Sequence, residues 1–259
     1  MQKSIKNIAF AGSGNVAWHL AKGLQMQGYR ISNVWSRDFS NAVALAENCS
    51  SRACREISEL REIADLIIIA VADKAIEEIA QRIGEFNGIV VHTAGSVSID
   101  VLKGKFENSG VFYPLQTFSK VIPVDFREVP FFLESSSNEV LQALEKIAST
   151  LSARVYNADS QQRMLLHAAA VFAGNYSNLM YVIGNEILEN ANLPSDLLHP
   201  LIQEIARKAV TGDPLKMQTG PARRNDKITI EKHVAALASM PEYADLYHLL
   251  ANLISNKYK

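Results

Sequence analysis

The chain has 259 residues, 48% of them hydrophobic, with 26 lysines and arginines against 27 aspartates and glutamates. A chain of this length can bury a substantial core and form two domains without disulfide or metal staples. Charge near zero, with no block of one sign, removes the electrostatic footprint of a nucleic-acid or membrane-surface binder and leaves a small molecule as the expected partner. Cys49 and Cys54, the only cysteines, have no histidine ligands nearby and read as packing thiols, so no metal site is expected. The longest apolar run, Leu66–Ala72, is too short to span a bilayer. Met1–Lys6 leads straight into strand-forming sequence without a signal-peptide pattern, so the expected compartment is cytoplasmic.

Residues from Ile5 to Ala11 favour a strand, Gly12 ends it, and the helical spacing of Val16, Leu20 and Leu24 begins within one turn. Strand, tight turn and helix in that order open a dinucleotide-binding unit. Gly12 can adopt the angles of the turn, Gly14 leaves the main chain open to a pyrophosphate, and Ala17 stands where a third glycine often lies. Gly12, Ser13, Gly14, Asn15 and Val16 would hold the phosphates on free N–H groups at the positive end of the helix. That helix should stop at Gly28, followed by a strand over Tyr29–Ser36. The strand tip is where a ribose is read. Ser36 and Arg37 supply a hydroxyl and a positive charge suited to a 2′-phosphate, while Asp38 more readily starts the next helix, so NADP is expected over NAD.

A helix over Asn41–Asn48 and a short strand over Arg52–Cys54 precede Ile63–Ala72, the most continuous apolar stretch of the chain and of the kind found in strands covered on both faces. Val71, Ala72 and Asp73 leave this strand and should border the cofactor, since ligands of open parallel sheets lie beyond the carboxyl ends of strands. Asp73 also reads as the cap of the next helix. Gly88–His92 forms another strand, and by the same rule His92, Thr93, Ala94 and Ser96 should face the nicotinamide half. His92 can serve a reacting group or satisfy a backbone group, and the sequence does not separate these roles. Strands over Val111–Gln116, Phe131–Glu134 and Arg154–Asn157, with a helix over Val140–Leu151, complete the first half.

From about Asp159 only helical patterns remain, dividing the chain into residues 1–158 and an all-helical 159–259. Gln161–Asn192 is one long helix or a pair, apolar on nearly every face, and must be covered by the first domain or a second subunit. At 3.6 residues per turn His167, Gly174 and Asn178 share a stripe with Asn175 at its flank, a polar seam expected to face a ligand, water or the other domain. A helix over Leu201–Val210 leads to the loop Thr219–Asp226, where Arg223 and Arg224 can clamp an anion or form a salt-bridged turn. Thr229 reads as the cap of a helix carrying His233, and Pro241 as the first turn of the last helix.

Taken together, Gly12–Ala17, Ser36-Arg37, His92–Ser96, Tyr113–Phe118, His167–Tyr176 and Thr219–Asp226 resemble a family of Rossmann-like proteins with a carboxy-terminal domain of unknown function, described as candidate NADP oxidoreductases. The chain is more distantly similar to pyrroline-5-carboxylate reductase and to the 6-phosphogluconate and β-hydroxyacid dehydrogenases. The resemblance implies an α/β fold: a doubly wound, mostly parallel Rossmann domain, then an all-helical domain that pairs subunits into a homodimer, with the active site between the domains. One departure matters. No lysine lies between Gln161 and Arg207 and Val171 follows His167 by four, so the lysine and asparagine of the β-hydroxyacid dehydrogenases are missing.

The expected chemistry is therefore hydride transfer between NADPH and a small anionic imine, keto or hydroxy substrate. His167, or His92, would donate the proton, and Asn175 would orient substrate. Ser96, Asn178, Arg223 and Arg224 would bind it. A prephenate dehydrogenase-like oxidation and a non-catalytic NADP sensor are the alternatives.

Overall fold

The strands β1 (Asn7–Ala11) and β4 (Leu66–Ile69) pair in parallel at the middle of a single sheet. A computed structural model describes residues 5–258, so the opening Met1–Ser4, on which the expected lack of a signal peptide partly rests, lies outside it. Alternation along these two strands divides the core. Ile8, Phe10, Leu66 and Ile68 point to one face, and Ala9, Ala11, Ile67 and Ile69 to the other, all without exposure. Strands buried on both sides have no polar face to show, which is why their sequence is a plain apolar run.

Outward from this centre run β2 (Arg30–Trp35) and β3 (Arg52–Cys54) on one side and β5 (Ile89–His92), β6 (Ser109–Pro114), β7 (Phe131–Ser135) and β8 (Val155–Asn157) on the other. The order is β3-β2-β1-β4-β5-β6-β7-β8. All neighbours pair in parallel except β6 and β7. The first six strands have the doubly wound order of dinucleotide-binding sheets, whose direction of winding reverses between β1 and β4.

Helices α1 (Asn15–Met26), α2 (Phe39–Asn48) and α4 (Asn138–Leu151) cover the first face of the sheet, while α3 (Ile76–Ile83) covers the second. Their caps follow local chemistry. Asp38 accepts from the Ser40 N–H and hydroxyl to start α2, and Ser137 accepts from the Val140 N–H to start α4. Asp73 departs from expectation. It is the first residue of a 3₁₀ turn, makes no capping bond, and its carboxylate instead accepts a hydrogen bond from the Ser96 hydroxyl.

After β8 the described chain is helical: α5 (Ser160–Ala170), α6 (Ser177–Asn190), α7 (His199–Thr211), α8 (Pro214–Met217), α9 (Lys227–Ala236) and α10 (Pro241–Lys257). Between α5 and α6, Val171–Tyr176 forms a π-helical turn. The wider turn breaks the 3.6-residue repeat, so His167 and the positions from Gly174 to Asn178 do not continue one α-helical stripe as expected. Asp226, not Thr229, caps α9, accepting from the N–H of Thr229 at 3.1 Å and from its hydroxyl at 2.7 Å.

The chain divides into two compact units, 1–174 and 175–259. By pattern the helical half begins near Asp159, but by compactness α5 belongs with the sheet. Arg163 explains this. It has no exposure, pairs with Glu134 of β7, and donates to the carbonyl of Val97 and, at 3.3 Å, to that of Ala94. Ser160 at the head of α5 donates to the same carboxylate at 2.8 Å. The second unit has a small core, with only Ala222, Ile230 and Ala251 buried among its described residues.

Breaking a buried ion pair from one side leaves the other charge stranded and costs roughly 3–5 kcal/mol. Arg163→Met is expected to lose stability of about that size in urea unfolding, with part of it restored in Arg163→Met/Glu134→Gln. A loss below about 1 kcal/mol, the scale of an exposed pair, would show that the guanidinium does not anchor α5.

Candidate active site

The turn after β1 is held open by its glycines. Gly12 has φ +117°, and a Cβ there would stand 2.2 Å from the carbonyl oxygen of Ala70. No side chain fits between the two central strands at this point. At Gly14 the position of a Cβ has nothing within 4 Å, so the main chain faces open space where α1 begins. The α1 N-terminus has no side-chain cap, leaving its first N–H groups available to an anion. A cleft of about 580 Å³ opens here, lined by Gly12–Val16, Ser36, Arg37, Val71, Ala72 and Thr93, within the size range of cofactor sites.

The far end of that cleft is built for positive charge. Ser13 donates to the Ser36 hydroxyl at 2.9 Å, fixing both side chains, and Arg37 is exposed without an ion pair among the described residues. The carboxylate of Asp38 is engaged in its cap, where hydrogen bonds from the Ser40 hydroxyl and N–H hold its pKa below the usual carboxylate value. Asp38 is therefore engaged away from a ribose, Glu78 in the same lining pairs with Arg82 at 3.6 Å, and Ser36 and Arg37 at the strand tip fit a 2′-phosphate. Two further cations border the cleft that sequence reasoning missed, Arg82 over the Trp35 ring and Lys120 over the Trp18 ring, each at 5.0 Å. No motif carries them. Lys120 reaches the cleft because Asn15 donates to the Phe118 carbonyl and His19 to that of Ser119, both at 2.8 Å, folding the loop after β6 onto α1.

Beyond β4 and β5 the loops are tied to each other. Ser96 bonds Asp73, joining the two loops, while Thr93 and Ala94 are buried beside them. His92 has no exposure, its Nδ1 accepts from the Ala94 N–H at 3.2 Å, and its Nε2 makes no hydrogen bond. Burial first, and the neighbouring Arg163 charge second, push its pKa down to about 4. This buried neutral ring has the geometry of the loop-satisfying role.

His167 is placed differently. Half-buried on α5, its Nδ1 lies 3.0 Å from the Tyr113 hydroxyl at the end of β6, and the rings meet edge-on at 6.0 Å between centroids. Both rest on Gly95, where a Cβ would stand 2.8 Å from His167 Cγ and Nδ1 and from Tyr113 Cζ. The glycine in the loop after β5 thus makes room for an imidazole and a phenol. Sequence reading places Tyr113 in the Tyr113–Phe118 stretch but assigns it no partner, since within the strand it is one more aromatic residue.

In the second unit Asn175 and Asn178 are exposed. Arg223 stacks on Tyr258, 5.2 Å from the ring centroid, and donates to the Gln218 carbonyl, so it builds its own loop. Arg224 is exposed and makes no ion pair among the described residues. No group of three or more histidine, cysteine, aspartate or glutamate side chains among the described residues could hold a metal ion. No helix among them is long and apolar enough to cross a membrane.

The buried His92 has a thermodynamic consequence. Its folded pKa lies below that of an exposed histidine, so between about pH 6.5 and 4 the unfolded chain binds the proton more readily. Its contribution is fully present above that window and is lost as pH falls through it, by on the order of 3 kcal/mol. His92→Asn, which keeps an acceptor for the Ala94 N–H but does not titrate, is expected to flatten the fall in unfolding free energy over this range. An unchanged slope would mean that His92 is not held neutral.

Residues 7–103 match the family described as NADP oxidoreductase, coenzyme F420-dependent, and residues 129–254 match a domain of unknown function (DUF2520). Among solved structures, a candidate NADP oxidoreductase from Bacteroides fragilis is 44% identical, with 97% of this chain and 98% of that one covered and a TM-score of 0.92. A pyrroline-5-carboxylate reductase from Coxiella burnetii shares the fold at 19% identity, with 98% of each chain covered and a TM-score of 0.59. A reductive aminase from Aspergillus terreus in complex with NADPH and ethyl-5-oxohexanoate does so at 16% identity, with 98% of this chain and 93% of that one covered and a TM-score of 0.71. No curated protein matches the sequence. Identity at this level over nearly the whole of both chains, together with a glycine turn and a cation-rich cleft that suit the phosphorylated dinucleotide, places the chain in the family of NADP-dependent oxidoreductases to which the Bacteroides fragilis protein belongs.

Proposed function

We propose that the chain reduces a small anionic substrate carrying an imine or carbonyl group, with His167 delivering the proton. When bound, NADPH supplies the hydride. The protein's own part is to hold the phosphates on the α1 N-terminus, to read the 2′-phosphate with Ser36 and Arg37, and to place a proton donor at the reacting heteroatom. The observation that carries this reading is the pairing of His167 with Tyr113 over Gly95. It sits at the carboxyl end of β5 and β6, where ligands of such sheets bind, and leaves Nε2 without a hydrogen bond among the described residues.

Reduction adds hydride to carbon and a proton to nitrogen or oxygen, so one positioned acid is enough. The absence of the lysine expected of alcohol-oxidising relatives is consistent with this direction. Asp73, already bonded by Ser96, is proposed to brace the loops, and Val71, Ala72, Thr93 and Ala94 to line the cofactor cleft beside them. Asn175, Asn178 and Arg224, all exposed polar groups, are proposed to contact the substrate, with Arg223 shaping the loop that carries Arg224. The buried His92 gives no support to a mechanism with two histidines, which weakens the prephenate dehydrogenase-like alternative.

We further propose that the chain works as a homodimer. Leu197 and Leu201 are each 58% exposed and Ile205 52%, and the second unit buries few side chains of its own. Apolar surface on this scale beside so small a core marks an interaction face.

Calorimetric titration should show NADPH preferred to NADH, and Arg37→Ala should weaken NADPH by roughly 10–100-fold, the size of a lost charge-assisted contact, with little change for NADH. His167→Asn should bind NADPH as before but turn over cyclic imines and 2-keto acids about 10²–10⁴-fold more slowly. Undiminished turnover would remove His167 from the chemistry, and an unaltered cofactor preference would remove Arg37 from the ribose site. Sedimentation equilibrium is expected to give twice the chain mass, and Leu201→Glu/Ile205→Glu to give a monomer. A wild-type monomer at micromolar concentration would refute the homodimer.

A further inference from the structure

Which ring nitrogen of His167 carries the proton decides what this residue can do. The Tyr113 hydroxyl lies 3.0 Å from Nδ1, and no other hydrogen bond to that hydroxyl is found among the described residues. Tyr113 is only 8% exposed. A phenol turned away from Nδ1 would therefore leave a largely buried O–H unpaired, which costs more than the hydrogen bond itself contributes. We propose that Tyr113 is the positioning residue for His167: its O–H donates to Nδ1 of the neutral ring, so that the resting neutral ring carries its hydrogen on the substrate-facing Nε2, and when the imidazolium gives up the Nε2 proton it keeps the hydrogen on Nδ1, which the Tyr113 oxygen then accepts. This deepens the reading of His167 as proton donor and rests on it.

Two observations support the assignment. The glycine at position 95 locks the relative placement of the pair, because a Cβ would strike three of their atoms at 2.8 Å. The phenol also keeps its proton. Burial first and the Asp73 carboxylate second raise its pKa to about 12, with Arg163 acting weakly in the opposite direction. The charged or titratable groups facing Tyr113 are thus Asp73 from the loop after β4, Arg163 and His167 from α5, and none of them strips the proton from the phenol at neutral pH.

The consequence is a statement about substrate chemistry. A resting neutral ring that presents N–H at Nε2 pairs with an acceptor, an imine nitrogen or a carbonyl oxygen, and in that form offers no lone pair to the hydroxyl of an alcohol. The resting site thereby favours substrates entering in the oxidised form.

The test is the imidazole nitrogen spectrum of the uniformly ¹⁵N-labelled full chain, recorded by long-range proton–nitrogen correlation at a pH where the ring is neutral. His167→Gln identifies the signals by their loss. The wild type is expected to show Nε2 protonated and Nδ1 unprotonated and hydrogen-bonded. In Tyr113→Phe the Nδ1 resonance should shift downfield towards that of an unbonded ring nitrogen, and Gly95→Ala should produce the same shift with the phenol still present. A wild-type spectrum with Nδ1 protonated overturns the proposal, whether or not either variant folds. So does an Nδ1 resonance unmoved in Tyr113→Phe. The spectrum does not depend on turnover, so the expected tautomer together with full activity in His167→Asn would sink the proton-donor reading and leave the positioning role standing.

Discussion

Arg163 is a cation without contact with water, and such a group persists only where the surroundings supply both a counter-charge and carbonyls for its remaining N–H groups. Glu134 gives the charge, Ala94 and Val97 the carbonyls, and Ser160 completes the set. These partners come from β7, from the loop after β5 and from the head of α5. One side chain therefore fixes the loop that carries Gly95 and the helix that carries His167. It also helps to keep His92 neutral. It thereby anchors the platform of the His167–Tyr113 pair, a loop also held by Ser96 on Asp73 and by the Ala94 N–H on His92.

The two units are built on opposite principles. In the first, alternation along the central strands supplies apolar side chains to both faces of the sheet, so burial is nearly complete and independent of any partner. In the second, described helices bury little and expose leucines, isoleucines and aromatics. In the proposed homodimer, stability there would depend on the partner surface that covers those faces, and would respond to concentration in a way the sheet unit does not. The π-helical turn marks the passage from one regime to the other, since the division of the chain falls within Val171–Tyr176.

Cofactor choice follows a similar economy of parts. The residue that would read an unphosphorylated ribose, Asp38, is consumed in capping α2, and its neighbours Ser36 and Arg37 remain to meet a phosphate. Lys120 and Arg82 add charge from elements far apart in sequence. They lie over tryptophan rings, which hold both cations at the edge of the cleft, and Arg82 also pairs with Glu78 at 3.6 Å.

The sequence by itself determined what depends on neighbours along the chain. Apolar runs bounded by glycine or polar turns mark β1, β4 and β5, Gly12 and Gly14 mark the phosphate turn, and the pair Ser36-Arg37 marks the phosphorylated cofactor, because each signal is complete within a few residues. Caps were less legible, as Asp73 and Thr229 show: a carboxylate or hydroxyl in the right place for a cap can bond elsewhere when a closer partner exists. Only the tertiary structure decided which histidine is accessible and which is buried. It also allotted α5 to the sheet unit, placed Tyr113 against His167 and brought Lys120 to the edge of the cleft. Those outcomes depend on Arg163 meeting Glu134 and on the loop after β6 folding onto α1, contacts between residues far apart in the chain that no local pattern encodes.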